Sequence, residues 1–276
     1  MSIVTLTTDF GLKDGNVGVM KGIIWKLAPR AHIADLSHQI SPQNIAEAAL
    51  ILSRSAPYFP QDSVHIVVVD PGVGTPRRPI AGRIGEQLFV GPDNGFLTPL
   101  LENAEQQNLY TEFIHLNRPQ FWLPDVSHVF HGRDIFAPAG GHLASGTPLL
   151  ALGSQITDLV RLPMSRPQQL PDGYQGEIIH IDHFGNLSTN LRHTDLAGHT
   201  RLSIQLNDVE IPGLYHTFGE LPPGSLMALI GSTGSLIISL VNGSAAQALG
   251  AQLGDPLTVT LLPKLSPSND PESAHE

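Results

Sequence analysis

The sequence predicts an α/β protein with an N-terminal domain, built on a mostly parallel central sheet flanked by helices, and a smaller C-terminal antiparallel β domain. Strand and helix patterns alternate through the first half of the chain, which is typical of parallel strands joined by helices. After residue 173 the pattern changes to short strands separated by turns, with little helix. The 276 residues, 41% of them apolar, suffice for one large domain or two.

The first five predicted elements alternate in order. Strands are predicted at 2–9, 32–37 and 63–70, and helices at 18–28 and 44–59, the second ending before a proline. In parallel sheets of this kind, ligands bind at the carboxyl ends of the strands. We therefore expect the functional site at that edge.

Composition places the domain boundaries. The N-terminal α/β domain is predicted at 1–164 and the C-terminal β domain at 174–264. Between them, residues 165–173 (SRPQQLPDG) are rich in proline and polar residues and are interpreted as a linker. The polar residues 265–276 are predicted to be a disordered tail.

Charge and composition exclude several classes of function. Fifteen basic against 25 acidic residues give a net charge of −10, which disfavours binding to nucleic acid. The absence of cysteine excludes disulfides and thiolate metal sites. No apolar run approaches 18 residues and no signal peptide is recognised, so we expect a cytoplasmic protein without membrane partners.

Two predicted strands end in an aspartate close to a glycine. Asp9 lies in TTDFG and Asp70 in VVDPGVG, each where a strand gives way to a turn. They are either two acids of one ligand crevice or simple caps of turns and helices. Spacing alone leaves both interpretations open.

A possible water-activating set includes Asp70. The carboxylate of Asp70 and the imidazole of His131 could polarise a water molecule between them. An arginine beside Asp70 would keep it ionised and fix its geometry. The spacing does not show whether Arg77 or Arg78 turns inward.

Other chemistries have weaker support. A metal-dependent hydrolase built on His128, His131 and Asp182 is one alternative, although the spacing of the ligands is loose. Phosphate-binding loops, dinucleotide fingerprints and nucleophile elbows are absent. The turn GSTGS at 231–235 either binds an anion through backbone N–H groups or is a small-residue turn between strands.

Six stretches of the chain resemble a known family. They are, in order, TTDFGLKDGNVGVMKG, VVVDPGVGTPRR, VGPDNGFLTPLL, FHGRDIFAPAGGHLASG, IDHFGNLSTNL and GSTGSLIISLVNGSAAQALG. Together, over about residues 3 to 262, they resemble the S-adenosylmethionine hydroxide adenosyltransferases, relatives of the fluorinases and chlorinases. The resemblance implies hydrolysis of S-adenosyl-L-methionine to adenosine and L-methionine, with no cofactor. It also implies a homotrimer, with each site between the N-terminal domain of one subunit and the C-terminal domain of its neighbour.

The resemblance assigns the water to Asp70, Arg77 and His131. Fluorinase has tyrosines at the positions of Asp70 and His131, and a halide-contacting serine at the position of Gly132. An ionised Asp70 would repel a halide, whereas water suits it. A non-catalytic protein that binds the nucleoside or S-adenosylmethionine is an alternative, but binding alone does not require a water-activating set.

The remaining implied positions contact the substrate. The resemblance assigns Asp9 to the ribose hydroxyls, Asp14 and Ser232 to the methionine ammonium, Asn186 and Phe218 to adenine, and Asn94 to a structural or ribose role. Thr233 and Leu240 stand where fluorinase has arginines near methionine and adenine. The resemblance therefore leaves open how the methionine carboxylate is held.

Overall fold

The computed structural model describes residues 2–197, 199 and 201–262. The chain forms two compact units, Met1–Pro163 and Met164–Glu276. The predicted tail 265–276 and the last two residues of the predicted C-terminal domain lie outside the described residues.

The first unit is a seven-stranded sheet with four helices. Its strands are β1 (Ile3–Thr8), β2 (His32–Ser37), β3 (Val64–Val68), β4 (Pro79–Ile84), β5 (Gln87–Pro92), β6 (Thr111–His115) and β7 (Ser154–Ile156). Its helices are α1 (Asn16–Leu27), α2 (Ile45–Ser55), α3 (Thr98–Gln107) and α4 (Ala137–Ala144). The strand order is β2-β1-β3-β5-β4-β6-β7.

The sheet is parallel at one end and antiparallel at the other. The strands β2, β1, β3 and β5 pair in parallel, as the alternating pattern predicts. The strands β4, β6 and β7 add antiparallel pairs. The change of direction comes from the two residues between Ile84 and Gln87, because a connection this short joins only antiparallel strands.

Both faces of β3 are covered. Val64, Ile66 and Val68 belong to the core cluster that contains residues of α1 and α4. Val67 and Val69 belong to a second cluster, with residues of α2 and α3. The sequence of a strand that is covered on both faces is a continuous run of apolar residues. This rigid strand leads directly into the turn that carries Asp70.

In the described part of the second unit, an antiparallel-rich sheet is accompanied by one short α-helix, α5 (Ala245–Leu249). Its strands are β8 (Gln168–Leu170), β9 (Gly173–Ile181), β10 (Leu187–Arg192), β11 (Leu202–Leu206), β12 (Val209–Pro212), β13 (Leu214–Tyr215), β14 (Leu226–Ile230), β15 (Ser235–Leu240) and β16 (Pro256–Leu261). Their order is β12-β11-β16-β9-β10-β15-β14-β13, and β8 pairs with β9. All pairs are antiparallel except β13 with β14, which confirms the predicted antiparallel β domain.

The segment 165–173, interpreted as a linker, contains β8 and the start of β9. These strands form a hairpin in which Leu170 pairs with Gly173 across a two-residue turn. The proline and aspartate that made the segment look irregular form that turn. Within the described residues, no helix is both long and apolar enough to cross a membrane.

Candidate active site

A tight turn follows β3 and carries Asp70. The backbone N–H of Val73 donates to the carbonyl of Asp70 (3.2 Å), and that of Thr75 donates to Gly72 (3.1 Å). These two successive turns reverse the chain within six residues. Arg77 is thereby returned toward the aspartate that opened the turn.

Glycine is required at position 74 of this turn. Gly74 has a φ of +77°, a backbone conformation that residues other than glycine rarely adopt. A Cβ atom at this position would lie 2.4 Å from the backbone oxygen of His128. The turn therefore packs directly against the segment that leads to His131.

Asp70, Arg77 and His131 form one hydrogen-bonded cluster. The Nε atom of Arg77 lies 2.9 and 3.0 Å from the two carboxylate oxygens of Asp70, and its Nη2 atom also pairs with Oδ2. The same Nη2 atom lies 2.7 Å from Nδ1 of His131. The side chains of Asp70 and Arg77 are 5% and 10% exposed. The guanidinium lies over the ring of Phe136, 5.2 Å from its centroid.

The geometry fixes which nitrogen of His131 carries the proton. A guanidinium only donates hydrogen bonds, so Nδ1 of His131 accepts from Arg77 and the neutral ring carries its proton on Nε2. Burial lowers the pKa of His131, and the charge of Arg77 lowers it further. Asp70, Asp134 and a backbone hydrogen bond with Ser127 oppose this shift without reversing it. His131 is therefore a neutral donor near pH 7.

The adjacent Arg78 is bound elsewhere. It donates from Nε (2.9 Å) and Nη2 (2.6 Å) to Asp93, and from Nη1 to Asp158 (2.8 Å). The side chain of Asp93 is 2% exposed, so its charge needs this partner. Of the two arginines that spacing could not separate, Arg77 is the one beside Asp70.

A buried aspartate, Asp134, stabilises the segment that carries His131. The residues after His131 form a π-helical turn, Gly132–Phe136. Within it, the fully buried carboxylate of Asp134 accepts from the backbone N–H of Ser127 (2.8 Å) and from Nε of Arg133 (2.5 Å). Burial alone would raise the pKa of Asp134, but these hydrogen bonds hold it below its ordinary value. Asp134 thus ties together both ends of the segment that presents His131.

The end of β1 meets this segment. The ring of Phe10 lies 5.7 Å from that of Phe130, edge to face. Before it, Asp9 accepts a hydrogen bond at Oδ2 from the backbone N–H of Gln43 (2.8 Å). Gln43 has a φ of 64°, which is costly for a residue with a side chain. Strained backbone therefore holds one oxygen of Asp9.

Asp14 and Asn94 differ in their surroundings. Asp14 is exposed at the end of the loop between β1 and α1. Asn94 donates from Nδ2 to the carbonyl of Val69 (2.9 Å) and accepts from the N–H of Phe96 (3.3 Å). Both ends of its amide are used, which favours the structural part of its expected role. It anchors the residue before Asp70.

Three expected substrate contacts lie in the second unit. Asn186 donates from Nδ2 to Oδ2 of Asp182 (2.8 Å), while Oδ1 of Asp182 accepts from the N–H groups of Phe184 and Asn186 (both 2.9 Å). One hydrogen of the amide nitrogen of Asn186 is therefore used, and within the described residues no hydrogen bond to its side-chain oxygen is found. Phe218, 46% exposed, opens a 3₁₀ turn that Thr217 and Glu220 cap.

Ser232 is exposed in the turn between β14 and β15. In that turn, Gly231 donates its N–H to Ser235 (2.8 Å) and Gly234 donates to Gly231 (2.9 Å). These bonds are those of a tight connection between antiparallel strands. Two of the backbone N–H groups considered for an anion are thus already used.

Sequence reasoning missed three supporting residues, Asp134, Asp182 and Gln43. Of these, Asp182 was considered only as a metal ligand. The spacing D-x-F-x-N after Asp182, typical of an Asx turn, could have identified its role. Nothing in the sequence marks Gln43, since its left-handed backbone is unusual for glutamine. The described part of the chain contains no group of three or more histidine, aspartate or glutamate side chains placed to hold a metal ion.

Comparison with known proteins gives consistent results. Residues 4–153 match the SAM hydroxide adenosyltransferase N-terminal domain, and residues 176–258 match the C-terminal domain of the same family. The (R)-S-adenosyl-L-methionine hydrolase of Salinispora tropica is 38% identical over 260 residues, 93% of this chain and 97% of the relative. A fluorinase of Actinoplanes sp. is 29% identical, covering 94% and 97%. A crystal structure of an uncharacterized conserved protein from Thermotoga maritima superposes with a TM-score of 0.85 at 33% identity, over 94% of this chain and all of that one.

Proposed function

The chain belongs to the SAM hydroxide adenosyltransferase family, and from this premise we propose that it hydrolyses S-adenosyl-L-methionine to adenosine and L-methionine. Water attacks the 5′ carbon of the ribose. The bond from that carbon to sulfur breaks, and its electron pair stays on sulfur as the thioether of methionine. No cofactor is needed, because the sulfonium leaves without protonation.

The Asp70–Arg77–His131 cluster carries this proposal. Oδ1 of Asp70 accepts a single hydrogen bond from Arg77 and keeps a lone pair, so the carboxylate can accept a hydrogen from water at that oxygen. The imidazole of His131 is linked to this carboxylate through Arg77 and is placed to orient the same water. Holding water in this way removes much of the entropic cost of the attack.

Asp70 is the group that takes the proton as the new C–O bond forms. The Nδ1 lone pair of His131 is used by Arg77, and its Nε2 atom already carries a hydrogen. The lowered pKa of His131 also makes the imidazole a weaker base. Its part is to orient the water, while Arg77 fixes the other two side chains relative to each other. The Nη1 atom of Arg77 is buried without a hydrogen-bond partner among the described residues.

The substrate-binding roles follow the family assignments. Asp9 keeps Oδ1 for the ribose hydroxyls, since Oδ2 is bound to the backbone. Asp14 and Ser232 bind the methionine ammonium. The side-chain oxygen of Asn186 accepts from the adenine amino group, and Phe218 packs on the ring.

The proposal includes a homotrimer, in the cytoplasm, with active sites shared between subunits. The loops that carry site residues also carry exposed apolar side chains: Leu12 and Val129 in the first unit are 68% and 79% exposed, and Phe184 in the second is 73% exposed. Such side chains favour burial against another copy. Light scattering after size exclusion should give about three times the chain mass of 29.6 kDa. A monomeric mass would contradict the proposed trimer but not the proposed hydrolysis.

The hydrolysis is tested with isotopic water. The protein is incubated with S-adenosyl-L-methionine in ¹⁸O-labelled water containing chloride, and the nucleoside products are analysed by mass. We expect adenosine labelled at the 5′ hydroxyl and no 5′-chlorinated nucleoside. Turnover that persists after chelation would dismiss the metal-dependent alternative. Binding of S-adenosyl-L-methionine with no formation of adenosine would contradict hydrolysis and support the non-catalytic alternative.

A further inference from the structure

A buried histidine, His38, follows β2 and contacts the last residue of β1, outside the Asp70 cluster. His38 is 5% exposed, and its Nδ1 atom lies 2.9 Å from Oγ1 of the fully buried Thr8. Its Nε2 atom lies 3.0 Å from Oδ1 of Asp35. The other oxygen of Asp35 accepts from Nζ of Lys21 on α1 (2.6 Å). We call Thr8, His38, Asp35 and Lys21 the polar chain.

The polar chain contains two hydrogen bonds and one electrostatic contact. Lys21 donates to Asp35, the hydroxyl of Thr8 and Nδ1 of His38 form a hydrogen bond, and Oδ1 of Asp35 faces Nε2 of His38 within ion-pair distance but outside hydrogen-bond geometry. The oxygen of Thr8 in turn accepts from the backbone N–H of Phe10 (3.3 Å). Burial would raise the pKa of Asp35, but Lys21 and His38 hold it below its ordinary value. The polar chain therefore has an ionised acceptor, Asp35, between His38 and Lys21.

The polar chain reaches the backbone on both sides of Asp9. Thr8 precedes Asp9, and its hydroxyl holds the N–H of Phe10, which follows it. The carbonyl of His38 accepts from the N–H of Gly11 (2.8 Å). Five residues after His38, the strained backbone of Gln43 donates to Oδ2 of Asp9. Fixing His38 thus fixes the segment that orients Asp9.

A threonine, a histidine and an aspartate in line also resemble an activated nucleophile with its base. The burial of Thr8 argues against that function here. Its side chain is 0% exposed, so no substrate carbon can reach its oxygen. The arrangement is suited to holding backbone in place.

We propose that the polar chain is a positioning device for Asp9, which keeps Oδ1 of that carboxylate aligned with the vicinal hydroxyls of a ribose. This inference rests on the proposed function, because it takes a ribonucleoside as the ligand. Thr8 and His38 act through Asp9 and do not touch the ligand. Loss of either side chain should therefore reduce the selectivity of binding for the ribose hydroxyls, in addition to any loss of stability.

The chain offers a matched control three residues away on β1. Thr5 is also fully buried and its Oγ1 atom lies 2.8 Å from Nδ1 of His65, another buried histidine. That pair lies within the core and has no bond to the Asp9 segment. Thr8→Val and Thr5→Val remove the same hydroxyl from equivalent threonine–histidine pairs. Both should lower the melting temperature by similar amounts.

The test compares the affinities for adenosine and 2′,3′-dideoxyadenosine by titration calorimetry. The wild-type protein should bind adenosine more tightly, and Thr8→Val should reduce that preference by about fivefold, as the loss of about 1 kcal/mol of alignment predicts. Thr5→Val should leave the preference unchanged. Equal preferences in the two variants, or no preference in the wild type, would overturn the inference.

A surface variant tests the far end of the polar chain without disturbing the core. Lys21→Met should reduce the preference for adenosine two- to threefold, while Lys26→Met, at an exposed position of the same helix, should not. Identical behaviour of these two variants, with Thr8→Val unfolded, would also refute the inference. Because binding is read without turnover, failure of the ¹⁸O assay would remove hydrolysis and leave this result standing.

Discussion

Replacing Arg77 by lysine should separate the geometry of the cluster from its charge. The guanidinium holds Asp70 through Nε and Nη2 and reaches His131 from the same Nη2 atom. A lysine keeps the positive charge, but its single ammonium group cannot form a planar fork to both partners. At least one hydrogen bond to a charged or reactive group is then lost.

The expected effect follows from the strength of such bonds. A hydrogen bond to a charged group contributes about 1.5–3 kcal/mol, and each 1.36 kcal/mol of barrier changes a rate tenfold. If alignment of the water depends on one such bond, kcat for adenosine release in Arg77→Lys should fall about 10- to 150-fold. KM should change little, because Arg77 is not assigned a role in holding the nucleoside.

The neighbouring arginine provides the control. Arg78→Lys removes a similar fork, from Asp93 and Asp158, and should lower stability while kcat stays within about twofold. Steady-state kinetics and a denaturant titration on both variants measure the two effects. Unchanged kcat in Arg77→Lys, or an equal fall in both variants, would refute the assignment of Arg77 to the reacting centre.

Three further predictions concern single residues. Asp70→Asn should lower kcat at least about tenfold with KM within about twofold, measured as adenosine formed, since only the proton acceptor is altered; full turnover would contradict its role. Asp9→Asn should mainly raise KM, by about tenfold, and a defect confined to kcat would contradict a ribose contact. Burial lowers the pKa of His65 to about 4 from 6.5, so stability should fall by about 3 kcal/mol as pH drops from 6.5 through 4, where protonation favours the unfolded chain. His65→Gln should flatten this acid dependence in denaturant titrations, and an equally steep profile would contradict the assignment.

The placement of the acids at the sheet edge could be predicted from the sequence. The alternation of strand and helix signals implies parallel strands, and Asp9 and Asp70 follow two of them. Because β1 and β3 pair directly, with Thr8 opposite Val68, both acids emerge at the same edge. This part depends only on local periodicity, which the chain displays clearly.

The segment around His131 could not be predicted in the same way. His128 and His131 lie three residues apart, and both were possible metal ligands. The distinction arises from Asp134, whose buried carboxylate closes the turn, and from Gly74, which packs on the backbone of His128. The contact of Gly74 joins residues distant in sequence, and that of Asp134 depends on how the backbone folds between Ser127 and Asp134. The spacing of the two histidines therefore predicts neither contact.

Burial of a neighbouring carboxylate decides which of the adjacent residues Arg77 and Arg78 pairs with Asp70. Both follow the same turn, and both have an aspartate within reach. Asp93 is 2% exposed, and an unpaired carboxylate buried to that degree would be strongly destabilising. Arg78 satisfies it and is held there also by Asp158 at the surface. With that arginine committed, Arg77 is the one of the two left to pair with Asp70, so a structural ion pair with the residue that follows β5 determines which residue of the motif enters the candidate active site.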